Sequence, residues 1–197
     1  MKTPLPFPDS EHLVTDVDEN LLGTSAALFS SPDRRYRYRL RRRWAEGEAY
    51  ALFLMLNPST ADAFANDPTV ERCQRRAVAM GYPAFEVANI FALRSTDPEA
   101  LYREADPVGP ENNRQILHAA RGAQIVICGW GEHGKHLGRG KAVFDMLVSA
   151  GVALHALKIN ASGHPQHPLY VGYSHQPRAY TACAPEPESP QPQRRLR

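Results

Sequence analysis

The middle of the chain constrains the fold most, because short apolar runs alternate there with longer amphipathic segments. The apolar runs predict strands at residues 51–56, 85–90, 124–129 and 152–158. The amphipathic segments predict helices at residues 68–80, 110–121 and 140–150, the first with Asp67 as its N-cap. Strands that alternate with helices pair in parallel through right-handed crossovers. The sequence therefore predicts an α/β protein, a three-layer α/β/α sandwich with a four-stranded parallel core sheet.

A second pattern, upstream of these strands, predicts an N-terminal β-hairpin at an edge of the sheet. "SAALFSS" from Ser25 is a short apolar strand, "PD" at Pro32 supplies a turn, and residues 35–44 alternate between an apolar face and a basic one. The basic outer face carries Arg35, Arg37, Arg39 and Arg41. Two interpretations are open for it: contacts to nucleic-acid phosphates, or a solvated edge that resists strand-to-strand aggregation.

Length and composition indicate one packed domain. The chain has 197 residues, of which 43% are hydrophobic and 22% are charged, and these values are typical of globular proteins. We assign residues 25–180 to a single α/β domain, residues 1–24 to an N-terminal arm and residues 181–197 to a disordered tail rich in Pro and Arg. Asp97 and Pro98 look like the cap and first position of one more short helix.

Several kinds of site and location are disfavoured. The three cysteines have no metal-ligand spacing, and "GRGK" from Gly138 lacks the spacing of a phosphate-binding loop. A metal site of His164 and His167 with Asp62 or Asp67 matches only a weak pattern. The chain has neither a signal-peptide apolar region nor an apolar run of about 18 residues, and its net charge of +2 does not by itself indicate a nucleic-acid partner. We therefore expect a cytoplasmic monomer without membrane contact, cofactor or metal.

Polar residues follow each of the predicted core strands, where open parallel sheets bind their ligands. Asn57 and Asn89 each offer an amide that donates and accepts, which matches the edge of a nucleobase. Trp130 offers a flat ring for stacking. Candidate acids, bases or leaving-group stabilisers are His133, His136, His164 and His167. Structural interpretations stay open, since Asn57 can tie a loop and Asp67 can act only as a helix cap.

The chain resembles, from about residue 27 to residue 173, the bacterial family known as domain of unknown function 1643. The matching stretches are "FSSPDRRYRYRLRRRW", "LNPSTAD", "NDPTVERC", "NIFALRSTDP", "PVGPENN", "WGEHG", "GR" and "HPLY". The resemblance is specific, but it implies no activity.

The loops are also similar, more distantly, to motifs of the uracil-DNA glycosylase superfamily, whose fold is an α/β/α sandwich on a parallel sheet. "LNPST" resembles the first motif, which implies that Asn57 positions an attacking water. "VANIFALR" implies that Asn89 reads the base, "ICGWGEHG" resembles a third strand end, and "GHPQHPLY" implies that His164 or His167 stabilises charge on the departing base. The chain lacks the glycine before the first motif and the superfamily's iron-sulfur cysteines, and Phe64 would have to supply the aromatic behind the base.

Residues and resemblance together predict a nucleobase site that cleaves an N-glycosidic bond in DNA. In this hypothesis Asn57 with Asp62 or Asp67 holds the water, and His167 or His164 faces the leaving base. The predicted substrate contacts are Pro58, Ser59, Phe64, Asn89, Arg94, Trp130 and His133, and the outer arginines contact DNA. Two alternatives stay open: an enzyme acting on a free nucleoside, nucleotide or modified base, and a module that binds a base without turnover.

Overall fold

A computed structural model describes residue 7 and residues 11–21, 23–97 and 99–181. Its strands are β1 Leu13–Asn20, β2 Gly23–Ser30, β3 Arg37–Arg43, β4 Ala51–Met55, β5 Ala84–Asn89, β6 Ile125–Cys128, β7 Leu154–Ala156 and β8 Arg178–Ala179. Its helices are α1 Pro68–Ala79, α2 Ala100–Arg103, α3 Asn112–Gly122 and α4 Arg139–Ser149, with 3-10 turns at Glu132–Gly138 and Pro168–Tyr170. The predicted α/β class is confirmed. No helix within the described ranges is long and apolar enough to cross a bilayer.

All the strands belong to one eight-stranded sheet in the order β1-β2-β3-β5-β4-β6-β7-β8. Neighbours from β5 through β4 and β6 to β7 pair in parallel, and the other pairs are antiparallel. The sheet is thus larger than the four strands predicted, and antiparallel pairs outnumber parallel ones in it. The parallel strands end at one side of the sheet, so the loops that follow them converge.

Three sequence predictions, on the N-terminal arm, the hairpin and the cap of α2, need correction. Residues 13–20, assigned to an N-terminal arm, form strand β1 and pair with β2. The β2–β3 hairpin does not lie at an edge, because β1 covers β2 and β3 pairs with β5. Helix α2 has Glu99 rather than Asp97 as its N-cap residue. Pro98 and most of the predicted tail, residues 182–197, lie outside the described residues.

Strand β4 is buried on both faces, which explains its unbroken apolar sequence. Leu52 and Leu54 pack in one hydrophobic cluster with residues of α3 and α4. Phe53 packs in a second cluster, on the opposite face, with residues of α1. Burying a side chain such as Phe53 contributes roughly 1.5–3 kcal/mol. Helices on both faces fix the sheet and therefore the positions of its strand ends.

Asp67 begins helix α1 as the sequence predicts. One of its carboxylate oxygens accepts hydrogen bonds from the backbone N–H groups of Thr69 at 2.9 Å and Val70 at 2.8 Å. These donors have no partner inside the helix, so the carboxylate satisfies them. The predicted N-cap is confirmed.

The basic residues of β3 do not form an exposed face. Arg37 is 2% exposed and Arg39 is 3% exposed, because β3 is covered on both sides by neighbouring strands and on its faces by packed chain. Arg39 donates to Glu86 at 2.6 and 3.0 Å, and Arg41 lies 3.4 Å from the other oxygen of the same carboxylate. Among the four arginines proposed to contact DNA phosphates, only Arg35 has an exposed side chain, and it pairs with Glu104. The predicted arginine surface is therefore wrong for Arg37 and Arg39.

Two buried arginines of β3 hold the loop that follows β4. Arg37 donates to the backbone oxygen of Ala61. Arg42 donates to the backbone oxygens of Asp62 and Ala65, the second at 3.2 Å, and its Nε donates to the side chain of Asn66 at 3.0 Å. Burial lowers the pKa of Arg37 to about 10, so it stays charged at neutral pH. These guanidinium groups replace water as donors to loop carbonyls.

Candidate functional site

A cavity of about 840 Å³ lies at the carboxyl ends of the parallel strands. Its walls come from the loops after β4, β5, β6 and β7. Polar side chains on these walls are Asn57, Ser59, Ser95, Thr96, Glu132, His133, Lys158, Asn160, Gln166, His167 and Tyr170. The volume lies within the range of sites for ligands of nucleoside or drug size.

Asn57, immediately after β4, is half-buried and has a fixed side-chain orientation. Its Nδ2 donates to the backbone oxygen of Ser95 at 2.9 Å and to that of Pro58 at 3.2 Å. The N–H of Ser95 also donates to Pro58 O at 2.9 Å, which ties the first two loops together. Asn57 lines the cavity, and its Oδ1 accepts no hydrogen bond from any described residue. The interpretation that Asn57 ties the loop is confirmed, and its Oδ1 remains available as an acceptor.

His167 lines the same cavity in a neutral state. Its Nδ1 accepts a hydrogen bond from the backbone N–H of Leu169 at 3.3 Å, as the cap of the Pro168–Tyr170 turn. Burial lowers the pKa of His167 from 6.5 to about 4, although the negative charge of Asp67 opposes the shift. Because Nδ1 is the acceptor, the single proton is on Nε2. Nε2 bonds to no described residue, so His167 presents an N–H donor at neutral pH.

His164, the other candidate of the "HPQH" pair, lies outside the cavity wall. It is 7% exposed, and its Nδ1 is buried without a partner among the described groups. Its backbone N–H donates to Asn160 Oδ1 at 2.8 Å. Of the two histidines, the structure therefore brings only His167 to the cavity.

The carboxylates predicted to hold a water are committed to the backbone instead. Asp62 Oδ1 accepts from the N–H groups of Phe64 at 2.8 Å and Ala65 at 3.0 Å. Asp67 caps α1, as described above. Neither side chain lines the cavity. The loop between β4 and α1 places both of them where backbone donors need acceptors, so neither is positioned for the predicted water-binding role.

Two residues predicted to recognise the base are part of the core. Asn89 is 1% exposed and does not line the cavity, so it does not meet a ligand there. Trp130 touches the cavity but is also 1% exposed. Its indole fills space that the missing side chain of Gly134 leaves, since a Cβ there would lie 2.1 Å from the ring. The ring of Trp130 is therefore packing and offers no face for stacking.

The remaining predicted contacts divide between the cavity and other surfaces. Ser59 and His133 line the cavity, and His133 Nδ1 lies 2.9 Å from the hydroxyl of Tyr102. Phe64 is exposed and lies at a separate cavity of about 200 Å³. Arg94 packs over the ring of Phe29, 5.1 Å from its centroid. Pro58 is buried behind the wall. Phe64, Arg94 and Pro58 are thus not brought to this site.

Glu132 and Tyr170 are wall residues that the sequence motifs did not single out. Glu132 follows β6 and is exposed, and one of its oxygens accepts from Asn160 Nδ2 at 2.5 Å. Tyr170 is 73% exposed, with its ring centroid 5.9 Å from that of His167. Both belong to quoted stretches, "WGEHG" and "HPLY", so their position after a strand was the available signal.

Within the described ranges, no three His, Cys, Asp or Glu side chains come together in a way that would hold a metal ion. Cys73 and Cys128 are buried thiols that form no disulfide with a described residue, and burial raises the pKa of the Cys73 thiol. The cavity wall carries amide, hydroxyl and imidazole groups, one carboxylate and the ammonium group of Lys158.

Comparison with known proteins places the chain with one family. The model of a family described as "Protein of unknown function (DUF1643)" matches residues 37–169. That span contains β3, all the helices, the four loops and His167. No curated protein and no solved structure matches the chain.

Proposed function

The chain belongs to the DUF1643 family of proteins of unknown function, and we propose that its cavity binds a nucleoside and hydrolyses the N-glycosidic bond. The observation that carries the proposal is His167, a neutral histidine that lines a cavity of nucleoside size and whose Nε2–H has no partner among the described residues. The distant similarity of the four loops to uracil-DNA glycosylase motifs motivates the same bond type. Such an enzyme would act as a monomer in the cytoplasm.

His167 stabilises the departing base. When the bond between the anomeric carbon and the base nitrogen breaks, its electron pair moves onto the base and is shared with a ring carbonyl oxygen. The Nε2–H of His167 donates to that oxygen and stabilises the negative charge as it develops. Because the pKa of His167 is lowered to about 4, the donor stays neutral at pH 7 and keeps its proton throughout. One donor of this kind contributes roughly 100- to 1000-fold in rate.

Asn57 positions the water that acts as the nucleophile. Its free Oδ1 accepts a hydrogen bond from a water, while its Nδ2 is held by Ser95 O. The water oxygen bonds to the positively charged sugar carbon, and the water loses a proton to solvent. The base departs as an anion and takes up a proton in solution, so sugar and free base are the products. Asn57 orients the water without removing its proton, consistent with a largely dissociative step.

The base itself has one exposed aromatic wall to stack on. Tyr170 is 73% exposed and stands beside His167, whereas Trp130 is packed in the core. Leu56 and Leu169 supply apolar walls nearby. A base whose carbonyl meets His167 therefore lies against Tyr170, since the two residues share one short turn.

The charge of the site supports a small substrate over DNA. Arg37 and Arg39 are buried and bonded within the protein, so they offer nothing to a phosphate backbone. Among the described wall residues only Lys158 and Glu132 carry full charges, and these have opposite signs. A polyanion requires several phosphate contacts for affinity. DNA remains the second substrate class to test.

The test is release of free base, measured by liquid chromatography. The substrates are uridine, cytidine, inosine and xanthosine, and single- and double-stranded oligonucleotides containing uracil, hypoxanthine, xanthine or 5-hydroxymethyluracil. We expect release from a nucleoside, lost in His167→Ala and kept in the exposed control His175→Ala. Release from oligonucleotides alone would move the proposal to DNA. Calorimetric binding of a nucleoside without release would identify a binding module. The absence of both release and binding would refute the proposal.

A further inference from the structure

The cavity contains one carboxylate, Glu132, whose orientation is set by its neighbours. Asn160 Nδ2 donates to Glu132 Oε1 at 2.5 Å. The Asn160 amide cannot turn round, because its Oδ1 accepts from the backbone N–H of His164 at 2.8 Å. The hydroxyl of Ser162 lies within hydrogen-bond reach of both Glu132 Oε1 and Asn160 Oδ1. One oxygen of the carboxylate is thus fixed by the loop after β7.

The other oxygen of Glu132, Oε2, has no partner among the described residues. Glu132 forms no ion pair with any described cation, including Lys158 on the same cavity wall. An ionised carboxylate only accepts hydrogen bonds, so the matching ligand group is a donor. Among the described residues, no three His, Cys, Asp or Glu side chains come together to bind a metal ion. The matching group is therefore sought on an organic ligand.

His167 and Glu132 line the same cavity but differ in exposure. His167 is half-buried, and burial lowers its pKa to about 4 and holds it neutral. Glu132 is exposed and bonded to the polar Asn160. The base of a nucleoside has flat, largely apolar faces, while its sugar carries hydroxyl groups. The base therefore suits His167, and the hydroxyls suit Glu132.

We infer that Glu132 accepts hydrogen bonds from the sugar hydroxyls, so that the site selects ribonucleosides over 2′-deoxyribonucleosides. The inference rests on the proposed nucleoside function and names its substrate class. Glu132 Oε1 already accepts from Asn160 and Ser162, so Oε2 is the oxygen that accepts from the hydroxyls of a vicinal 2′,3′-diol. Loss of a hydrogen bond to a charged acceptor weakens binding roughly 10- to 100-fold. A site built in this way disfavours DNA for a reason separate from the buried arginines.

Calorimetric titration and initial rates test the inference with uridine, 2′-deoxyuridine, 3′-deoxyuridine and free uracil, and with inosine, 2′-deoxyinosine and hypoxanthine. We expect wild-type protein to prefer the ribonucleoside by roughly 10- to 100-fold over either deoxy analogue. Glu132→Gln removes that preference and leaves free-base binding unchanged. Ser162→Ala keeps the carboxylate but loosens it and lowers the preference by a smaller factor. The exposed Glu46→Gln is the matched control and keeps the full preference.

The outcomes separate this inference from the proposed function. Equal binding of ribo- and deoxynucleosides to wild-type protein overturns the role of Glu132 and leaves base recognition standing. A Glu132→Gln effect on rate that is the same for both sugars makes Glu132 a group that acts on water, which also overturns it. A changed preference among bases would assign it to the base. If free uracil, hypoxanthine and the nucleosides all fail to bind, the cavity proposal and this inference fall together.

Discussion

Strand β3 and the cavity are both rich in polar side chains, yet their atoms are used in opposite ways. In β3, Arg39 is 3% exposed and gives two hydrogen bonds to the fully buried Glu86. In the cavity, Asn57 and His167 each give one atom to the backbone and keep another free. The first arrangement consumes polar groups in holding strands and loops. The second holds a side chain in place and leaves an atom of it for a ligand.

The comparison shows that residue type does not separate fold from function in this chain. Arg37 and Arg39 looked like part of a nucleic-acid surface, and they proved to be internal donors. Asn57 looked like either a loop tie or a ligand contact, and its Nδ2 ties the loop while its Oδ1 has no partner among the described residues. Each prediction below removes one group and asks whether stability or ligand recognition is lost.

The largest effect is expected at the buried ion pair. Arg39→Met leaves the carboxylate of Glu86 buried with only Arg41 nearby at 3.4 Å, and it should lower the free energy of unfolding by about 3–5 kcal/mol. Urea denaturation measures the loss. Arg35→Met, at the exposed pair with Glu104, should change stability by no more than about 1 kcal/mol. Similar losses in both variants would contradict the assignment of Arg39 to the fold.

A smaller effect is expected from pH, through His167. The pKa of this group is 6.5 in its ordinary state and about 4 in the folded protein. Between these values the unfolded chain binds a proton that the folded chain does not, so stability is lost as pH falls from 6.5 to 4. The loss is roughly 2–3 kcal/mol across that window. Urea midpoints of wild type and His167→Gln measured from pH 4 to pH 8 should diverge on the acid side, and parallel curves would contradict a neutral buried His167.

A comparable or somewhat smaller loss is expected where Arg42 holds the loop after β4. Arg42→Met leaves the backbone oxygens of Asp62 and Ala65 without their donor and should cost about 1–3 kcal/mol. Because this loop follows Asn57, limited proteolysis should also cut it faster. Unchanged stability and cleavage would show that solvent satisfies these carbonyls as well as the arginine does.

The smallest effect separates a cap from a catalyst at Asp67. Asp67→Ala should lower stability by about 1 kcal/mol through loss of the two N–H contacts at the start of α1. Asp67→Ser restores a cap and should recover most of that loss. Base release per folded molecule should stay the same in both variants, since Asp67 does not line the cavity. A large fall in rate in Asp67→Ser would restore its predicted catalytic role.

Local periodicity was enough to predict much of the fold. The core strands and helices α1, α3 and α4 have apolar residues at the local spacing that a buried strand or helix face requires, so the sequence alone locates them. Strand β1 was missed because "LVTDVDEN" has three acidic residues among its eight, and its pairing with β2 is what makes it a strand. The burial of Arg39 was not predictable either, because its partner Glu86 lies 47 residues away in another strand.

The location of the candidate site was easier to predict from the sequence than the residues that line it. The strand ends were located correctly, and so were Asn57, Ser59, His133 and His167 on the cavity wall. Asn89 ends β5 and Trp130 follows β6, yet the side chains of both are buried in the core. The sequence does not fix which way a side chain points after a strand, because packing partners from distant segments decide it.

The central claim is that the free atoms of the cavity bind a ligand while the buried polar groups hold the fold. The most direct measurement is base release by wild type, His167→Ala and Arg39→Met, each corrected for its folded fraction. We predict a loss of at least about 100-fold in folded His167→Ala, and unchanged release per folded molecule in Arg39→Met. Full activity of folded His167→Ala on any substrate released by the wild type would contradict the claim.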